Sequence, residues 1–415
     1  MRIAFITWEY PPLIVGGLGT YSYYMSLWMS RLGYEVEVYA PLPTNLQPPP
    51  MDVEKVELNW VRVPDLSAGL RHALNDEVRA WGEGVKFFSN IVTFNSATAS
   101  RLAPKVLGSS IDIVAFNDWL CALSGISLAG LGKIPTVYHV HSTEWGRALG
   151  RGSRTVSEIE RLGAEYASII ITVSQAMRED LQTHGWPADK IQVVWNGVDP
   201  EVYDPSRVNH QDRESIRSRY GIGPDENMIL FVGRLVHVKG AGELVQAMPH
   251  ILSEFPKTKL IILGKGEMEA ELQNLIRDLG LKDRVILRTE FVSERERILH
   301  YAASDVCVFP SLYEPFGIVS LEAMAMERPV VVGARGVVGF REQVIPSGEE
   351  QCGMHVDGSN PLDIAWGVKE VLRDPDRARR MGRNGRKRVL KEFTWRRAAE
   401  KTLEFYSQLL QVEKA

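Results

Sequence analysis

Short apolar runs of strand type alternate with helical segments along most of this chain, in two successive series. The first series opens with a run at residues 2–7, passes through a loop and a helix at 21–32, and reaches a second run at 35–40. Further strand-type runs follow at 111–114, 135–140, 169–173 and 191–195. Strands joined by crossover helices pair in parallel, so this order predicts an α/β domain built on a parallel sheet.

The second series begins after a polar stretch at 200–225, which we interpret as a linker with a short helix. The pattern then predicts strands at 228–232, 260–263, 285–288, 306–309 and 330–332, with helices at 240–251 and 267–279. Residues 41–64 are poorly periodic and are predicted to be irregular. Two such series predict two Rossmann-like domains, whose ligands bind at the carboxyl ends of the strands. If the domains face each other, the site lies in the cleft between them.

Composition narrows the class of protein. At 415 residues the chain is too long for one ordinary core, and its net charge of -4 gives no reason to expect a nucleic-acid partner. The three cysteines are widely spaced, which indicates neither a disulfide framework nor a metal site and favours a reducing, cytoplasmic location. Neither a secretory signal nor an apolar run of the roughly 20 residues that a spanning helix needs is present. Peripheral membrane contact stays open.

A glycine-rich loop follows the first apolar run. Gly16 and Gly17 stand directly before the predicted helix, where backbone N–H groups can meet a phosphate. A tight turn before a helix explains the same residues, and both interpretations stay open. The loop departs from the dinucleotide-binding pattern, and no suitable acidic residue ends the next strand, so an NAD enzyme is weakly supported.

Two cations follow the first strand of the second series. Arg234 and Lys239 lie five residues apart between the strand at 228–232 and the next helix. Arginine makes a forked contact with phosphate and lysine supplies a point charge, and both would stabilise a departing diphosphate. The alternative is two solvated surface charges, which we consider weaker at the carboxyl end of a strand.

Two carboxylates surround the start of a later helix. Glu314 precedes Pro315 and therefore lies on a loop, whereas Glu322 falls inside a helix that we expect to begin near Gly317. Such a pair can face a sugar nucleotide. Compensation of the helix dipole explains one acid near a helix start, but it explains the whole Glu-Pro-Phe-Gly run less well.

Together these motifs resemble the retaining glycosyltransferases of the GT-B fold. The resemblance is carried by Glu314-x7-Glu322 and by the segment 233–240, and it extends to the glycine pair, to 172–174 and to 196–199. More narrowly, the chain resembles the group-one (family four) type that is related to the glycogen synthases. It implies two facing Rossmann-like domains, at 1–198 and 199–394, with the active site in the interdomain cleft and a last helix at about 395–415 that crosses back to the first domain.

The resemblance also implies a role for each matching residue. Arg234 and Lys239 would bind the donor diphosphate, Glu314 would contact the donor sugar, and Glu322 would bind the ribose. Gly16 and Gly17 would approach the phosphates. The remaining donor-binding positions would hold sugar and phosphate through the backbone, and they are Phe316, Gly317, Ile318 and Val319.

On the acceptor side, the resemblance points to a histidine, an aspartate and a glutamate. His141 would hydrogen-bond the transferred sugar, and His139 is its rival. We prefer His141 because the family places a small polar residue directly after this histidine. Asp118 resembles the aspartate of an Asp-Trp pair in glycogen synthases, and Glu9 holds a similar position after the first strand. Either carboxylate could instead cap or turn the chain.

The expected activity is transfer of glucose from ADP- or UDP-glucose to an α-glucan, with retention, no metal ion and no further cofactor. One departure weakens the glucan assignment, because glycogen synthases carry a lysine where this chain has Ile14. The alternative acceptor is another sugar or a lipid, giving a disaccharide, a glycolipid or a surface polysaccharide. Alternatives of another class are a nucleotide-sugar epimerase and a non-catalytic carbohydrate-binding protein. The sequence indicates no oligomeric state.

Overall fold

The structure is a computed structural model that describes residues 1–13, 16–66, 83–132 and 134–412. Ile14, the departure noted above, lies outside these ranges. The chain divides into two compact units. Unit 1 comprises the described residues of Met1–Val173, Arg178–Val194 and Trp395–Ala415, and unit 2 comprises Ser174–Met177 and Trp195–Thr394.

Unit 1 is a seven-stranded parallel sheet in the order β3-β2-β1-β4-β5-β6-β7. Its strands are β1 (Arg2–Ile6), β2 (Glu35–Pro43), β3 (Val56–Val63), β4 (Ile113–Asn117), β5 (Thr136–Val140), β6 (Ile169–Thr172) and β7 (Ile191–Val193). Its helices are α1 (Gly17–Arg31), α2 (Glu83–Leu107), α3 (Asp118–Ala129), α4 (Glu144–Arg147), α5 (Arg154–Tyr166), α6 (Gln175–Thr183, whose first residues are grouped with unit 2) and α15 (Trp395–Val412).

Unit 2 is a six-stranded parallel sheet in the order β10-β9-β8-β11-β12-β13. Its strands are β8 (Asn227–Val232), β9 (Thr258–Leu263), β10 (Val285–Arg288), β11 (Val306–Phe309), β12 (Val330–Gly333) and β13 (Gly353–Val356). Its helices are α7 (His210–Arg219), α8 (Ala241–Leu252), α9 (Glu269–Asp278), α10 (Glu294–Ala303), α11 (Ile318–Ala325), α12 (Phe340–Gln343), α13 (Pro361–Leu372) and α14 (Pro375–Glu392).

Both sheets are buried on two faces, which explains their near-continuous apolar strands. Every residue of β4 and β5 is buried, and so is every residue of β11 and β12. The C-terminal helix α15 packs on α1 within unit 1, where Tyr24 and Trp395 stack with ring centroids 5.4 Å apart. Two parallel α/β domains are therefore present, as the sequence predicts.

One sequence-based prediction is wrong. Residues 41–64 are not irregular throughout, because β2 continues to Pro43 and β3 occupies Val56–Val63. Among the described residues β3 is an edge strand whose neighbour in the sheet is β2, and half of its side chains are partly exposed. The apolar signal of a buried strand is correspondingly weak there. Within the described ranges, no helix combines the length and apolar character needed to cross a membrane.

Candidate active site

In unit 2 the strand order reverses between β8 and β11, which are neighbours in the sheet although they are far apart in sequence. Connections leave this point in opposite directions, so a crevice opens at the carboxyl ends of the two strands. Arg234 and Lys239 follow β8, and Glu314 follows β11. The topology thus brings the predicted cations and the predicted loop carboxylate to one edge of the sheet.

Lys239 and Glu314 are in direct contact there. The Lys239 ammonium group donates a hydrogen bond to Oε2 of Glu314 and forms an ion pair with it. Their side chains are only 18% and 11% exposed, so the pair is largely shielded from water. Arg234, in contrast, is exposed. The crevice therefore holds one neutralised cation and one solvated cation.

Close backbone packing fixes the segment that carries Lys239. Gly240 has φ +73°, and a Cβ at this position would lie 2.1 Å from the carbonyl oxygen of Pro310. The N–H of Leu312 donates to the carbonyl oxygen of Val238 at 2.8 Å. The loops after β8 and β11 are therefore joined by main-chain contacts that leave no room for a side chain at residue 240.

The loop from Glu314 to Val319 leads into α11. Gly317 is the N-cap residue with φ +83°, and no side chain caps the helix. A Cβ on Gly317 would lie 2.1 Å from the Phe340 ring. Phe316 is buried, whereas Gly317, Ile318 and Val319 are partly exposed. Uncapped N–H groups and the helix dipole make the start of α11 suited to an anionic group.

The side chain of Gln343 holds the loop before α11 in place, and the sequence analysis did not identify this residue. Its Nε2 donates to the carbonyl oxygen of Phe316 at 2.7 Å, and its Oε1 accepts a hydrogen bond from Ser320. The Ser320 hydroxyl also contacts the Gly317 carbonyl oxygen at 3.1 Å. Gln343 is completely buried on α12. A single glutamine belongs to no recognisable sequence motif, so its contact with this loop is found only in the folded structure.

Glu322 is the centre of a buried polar network. Its two carboxylate oxygens accept hydrogen bonds from the hydroxyls of Tyr203 and Tyr301, both at 2.8 Å. The Arg297 guanidinium lies 3.4 Å from the same carboxylate and 2.7 Å from the Tyr203 hydroxyl. The negative charge of Glu322 raises the pKa of Arg297. These three partners, which the sequence did not indicate, hold Glu322 in one orientation.

In unit 1 the strand order reverses between β1 and β4. Glu9 follows β1, and its Oε2 accepts hydrogen bonds from the N–H groups of Gly16 at 2.9 Å and Gly19 at 3.3 Å. The carboxylate thus sits at the start of α1, where its charge matches the helix dipole. Glu9 has the capping contact that the sequence left open, and it occupies the N–H of Gly16 before α1 and the N–H of Gly19 in the first turn of α1.

Asp118 and His141 meet at the ends of β4 and β5. Oδ1 of Asp118 accepts a hydrogen bond from the backbone N–H of His141 at 2.7 Å, and Asp118 itself has φ +52°. The His141 ring packs against Tyr21 with centroids 4.2 Å apart, and its Nε2 lies 3.2 Å from Oδ1 of Asn117. Burial lowers the pKa of His141, and the charge of Asp118 opposes that shift. A neutral imidazole is therefore favoured.

His139, the rival histidine, is completely enclosed. Its Nδ1 pairs with the Tyr21 hydroxyl at 2.9 Å and its Nε2 with the Tyr406 hydroxyl at 2.7 Å. Burial lowers its pKa well below the ordinary value. Both ring nitrogens are thus used inside the protein, and only His141 is partly exposed.

Comparison with known proteins assigns the family. The profile "Glycosyl transferases group 1" matches residues 212–388, and the profile "Glycosyltransferase Family 4" matches residues 15–202. An uncharacterised glycosyltransferase of Methanocaldococcus jannaschii is 34% identical over 98% of this chain and 98% of its own length. The chain belongs to the group 1 glycosyltransferases. The first profile spans the Arg234-to-Glu322 site, and the second spans Asp118 and His141.

Further relatives of this glycosyltransferase carry more specific names. A glycogen synthase of Mycobacterium tuberculosis is 31% identical over 98% of the chain and 94% of its own length. An α-maltose-1-phosphate synthase of Mycolicibacterium smegmatis is 28% identical over 99% of the chain and all of its own length. Among solved structures, sucrose-phosphate synthase from Thermosynechococcus elongatus superposes with a TM-score of 0.80 at 25% identity, covering 99% of each chain. The glycosyltransferase therefore has the GT-B type of fold.

Proposed function

We propose that this glycosyltransferase transfers glucose from ADP- or UDP-glucose to an α-glucan, with retention of configuration. One observation carries the proposal: Lys239 and Glu314 are joined at the strand-order reversal of unit 2, beside the exposed Arg234 and the uncapped start of α11. Cations and free N–H groups suit a diphosphate, and a carboxylate suits sugar hydroxyls. The glycogen synthase relative supports glucose as the sugar and glucan as the acceptor.

In the proposed reaction, the bond between C1 of glucose and the β-phosphate oxygen breaks. A bond from C1 to an acceptor oxygen forms on the same face of the ring. The acceptor proton passes to an oxygen of the departing diphosphate. Arg234 and Lys239 stabilise the negative charge that develops on the diphosphate, so we infer that no metal ion is required.

The remaining predicted residues position the substrates. Glu314 accepts hydrogen bonds from hydroxyls of the transferred sugar, and the backbone from Phe316 to Val319 holds sugar and phosphate. Glu322, held by two tyrosines, orients the ribose. On unit 1, neutral His141 hydrogen-bonds the sugar, and Asp118 fixes the backbone of the histidine loop.

A second candidate is transfer to a small phosphorylated or unphosphorylated sugar. It is supported by the α-maltose-1-phosphate synthase and sucrose-phosphate synthase relatives, whose names denote other products. The two candidates use the same donor chemistry and differ in the acceptor.

The test is a panel of ADP-, UDP- and GDP-glucose combined with glycogen, maltoheptaose, glucose 1-phosphate or no acceptor. We expect release of nucleoside diphosphate that depends on glucan, and an α-configured new linkage by ¹H NMR. Release with glucose 1-phosphate alone would favour the second candidate, and a β-linked product would contradict retention. Release without acceptor would favour the epimerase class, and donor binding without any release would favour a non-catalytic protein.

A further inference from the structure

Unit 1 contains a pocket that none of the residues assigned above lines. It has a volume of about 230 Å³ and is lined by residues of α4, α5 and the end of α6 and by residues next to these helices. Its lining includes Trp145, Arg154, Ser157, Asp180, His184 and Trp186. Pockets for drug-sized ligands measure roughly 300–1,000 Å³, so this one suits a single small ring.

Trp145 presents a preformed aromatic surface to this pocket. Its side chain is 49% exposed. Gly150, with φ +83°, packs so closely that a Cβ would lie 3.2 Å from the indole, and its N–H donates to the Trp145 carbonyl oxygen at 2.8 Å. The His184 ring lies 5.3 Å away between centroids. Gly150 and His184 thus contact the indole while Trp145 stays about half exposed.

Hydrogen-bond donors and acceptors line the same pocket as the indole. Nδ1 of His184 contacts the carbonyl oxygen of Asp180 at 2.8 Å and lies 3.4 Å from Oδ1 of the same residue. In the neutral ring with Nδ1 as the donor, Nε2 is an acceptor. Arg154 is exposed and has no ion pair with any described residue, whereas Arg161 is bound by Glu158 and Glu165. The pocket therefore offers the guanidinium of Arg154 as a donor and, on the neutral ring of His184, Nε2 as an acceptor.

The charges around the pocket nearly balance. Two guanidinium groups, of Arg154 and Arg161, face three carboxyl groups, of Glu158, Glu160 and Asp180. Burial raises the pKa of Glu160 to about 8, so near neutral pH it contributes little charge. A balanced rim favours a neutral, hydroxyl-rich ligand over an anion.

We propose that this pocket binds one glucosyl ring of the α-glucan acceptor, away from the sugar that reacts. The C–H face of the ring packs on the Trp145 indole, because partly positive C–H groups match the negative face of an aromatic ring. The ring hydroxyls donate to Nε2 of His184 and accept from Arg154. The proposal rests on the proposed function, since it takes the acceptor to be a glucan.

The experiment compares Trp145→Ala with Trp366→Ala, which removes a tryptophan of similar exposure (44%) on α13 of unit 2. Affinity electrophoresis in gels containing glycogen measures binding without a donor, and steady-state kinetics with maltoheptaose measure use of the acceptor. We expect Trp145→Ala to lose retardation and to raise KM for maltoheptaose roughly tenfold, at unchanged kcat and donor KM, as loss of an aromatic anchor does. Trp145→Phe should restore most of the binding, and Trp366→Ala should behave as wild type.

The outcomes separate this proposal from the proposed function. Retardation of wild type by glycogen, lost in Trp145→Ala, supports glucan binding in the pocket whether or not nucleoside diphosphate is released. Absence of release would contradict only the proposed reaction. Glucan-dependent release with the same KM in Trp145→Ala and wild type overturns the pocket and leaves the reaction standing. Loss of binding in both Trp145→Ala and Trp366→Ala also overturns it. If the protein binds glucose 1-phosphate tightly and does not bind maltoheptaose, the ligand is anionic rather than neutral, and the proposal is contradicted.

Discussion

The ammonium group of Lys239 forms an ion pair with the carboxylate of Glu314. Lys239 follows β8 and Glu314 follows β11, and these two strands are neighbours in the sheet of unit 2. A largely buried cation with a carboxylate partner is held in place, and its charge is balanced. In the proposed function, binding of the donor diphosphate redistributes these contacts. The ion pair thus positions both groups before the substrate binds, which limits the cost of ordering them.

Replacement of Lys239 should remove a group that stabilises the leaving diphosphate, and it also leaves the buried Glu314 carboxylate without its ion-pair partner. We expect Lys239→Met to lower kcat by roughly 10²–10³-fold, the loss seen when a group that stabilises developing negative charge is removed. The measurement is nucleoside diphosphate release at saturating donor. Lys282→Met, at an exposed lysine of the same unit, is the control and should keep wild-type activity. Equal activity of the two variants would contradict a role for Lys239 in stabilising the leaving group.

Gly317→Ala should destabilise the protein through two separate effects. The first is the left-handed backbone, which costs a non-glycine residue roughly 1–2 kcal/mol. The second is overlap of the new Cβ with the Phe340 ring, for which overpacking costs of about 1–3 kcal/mol are typical. Gly336→Ala is a matched control, because Gly336 has φ +70° and open space around its Cβ position. Urea unfolding should show the larger loss for Gly317→Ala, and equal losses would show that the contact with Phe340 is unimportant.

Gln343→Glu should weaken donor binding. An ionised glutamate cannot donate to the Phe316 carbonyl oxygen, and an unpaired buried polar group costs about 1–3 kcal/mol. The loop before α11 then loses its fixed orientation. Titration calorimetry with the nucleoside diphosphate should show a weaker Kd, with Gln273→Glu on the exposed side of α9 as the control. An unchanged Kd in folded Gln343→Glu would argue against this positioning role.

Glu160 should make the stability of unit 1 depend on pH. It is buried, accepts a hydrogen bond from the N–H of Glu144 at 2.8 Å, and lies 3.3 Å from Arg147. Burial raises its pKa from 4.5 to about 8 despite these partners. Between those values the folded state retains a proton that the unfolded state has released, so the free energy of unfolding falls as pH rises.

The size of this fall is at most on the order of 5 kcal/mol, since each pKa unit corresponds to about 1.4 kcal/mol. Urea unfolding between pH 5 and pH 9 measures it. We expect Glu160→Gln, which cannot titrate, to flatten the decline, and Glu158→Gln at an exposed position to leave it unchanged. A decline of wild-type size in Glu160→Gln would show that another group is responsible.

The sequence predicted the strands of unit 2 best. Val285–Arg288 and Val306–Phe309 begin and end at the predicted residues, because buried parallel strands are short apolar runs with clear ends. The strand Gly353–Val356 was missed. It has only four residues, with a glycine and a histidine among them, so its apolar run is too short to be distinctive.

The site was predictable only in part. The positions of Arg234, Lys239 and Glu314 at strand ends follow from the chain order, whereas their roles come from the resemblance to a family. The partners of Glu322 could not be predicted, because Tyr203 lies 119 residues away and belongs to no recognisable motif. Contacts of this kind depend on how elements pack, which a periodic pattern does not encode.

The most direct test of the central claim is glucan-dependent release of nucleoside diphosphate from ADP- or UDP-glucose by wild type and by Arg234→Ala. Arg234 is exposed, so its removal should leave the fold and its stability unchanged. Our account predicts turnover by wild type and a loss of roughly 10²–10³-fold in the variant. Undiminished turnover in Arg234→Ala, or no turnover of any donor by wild type, would contradict it.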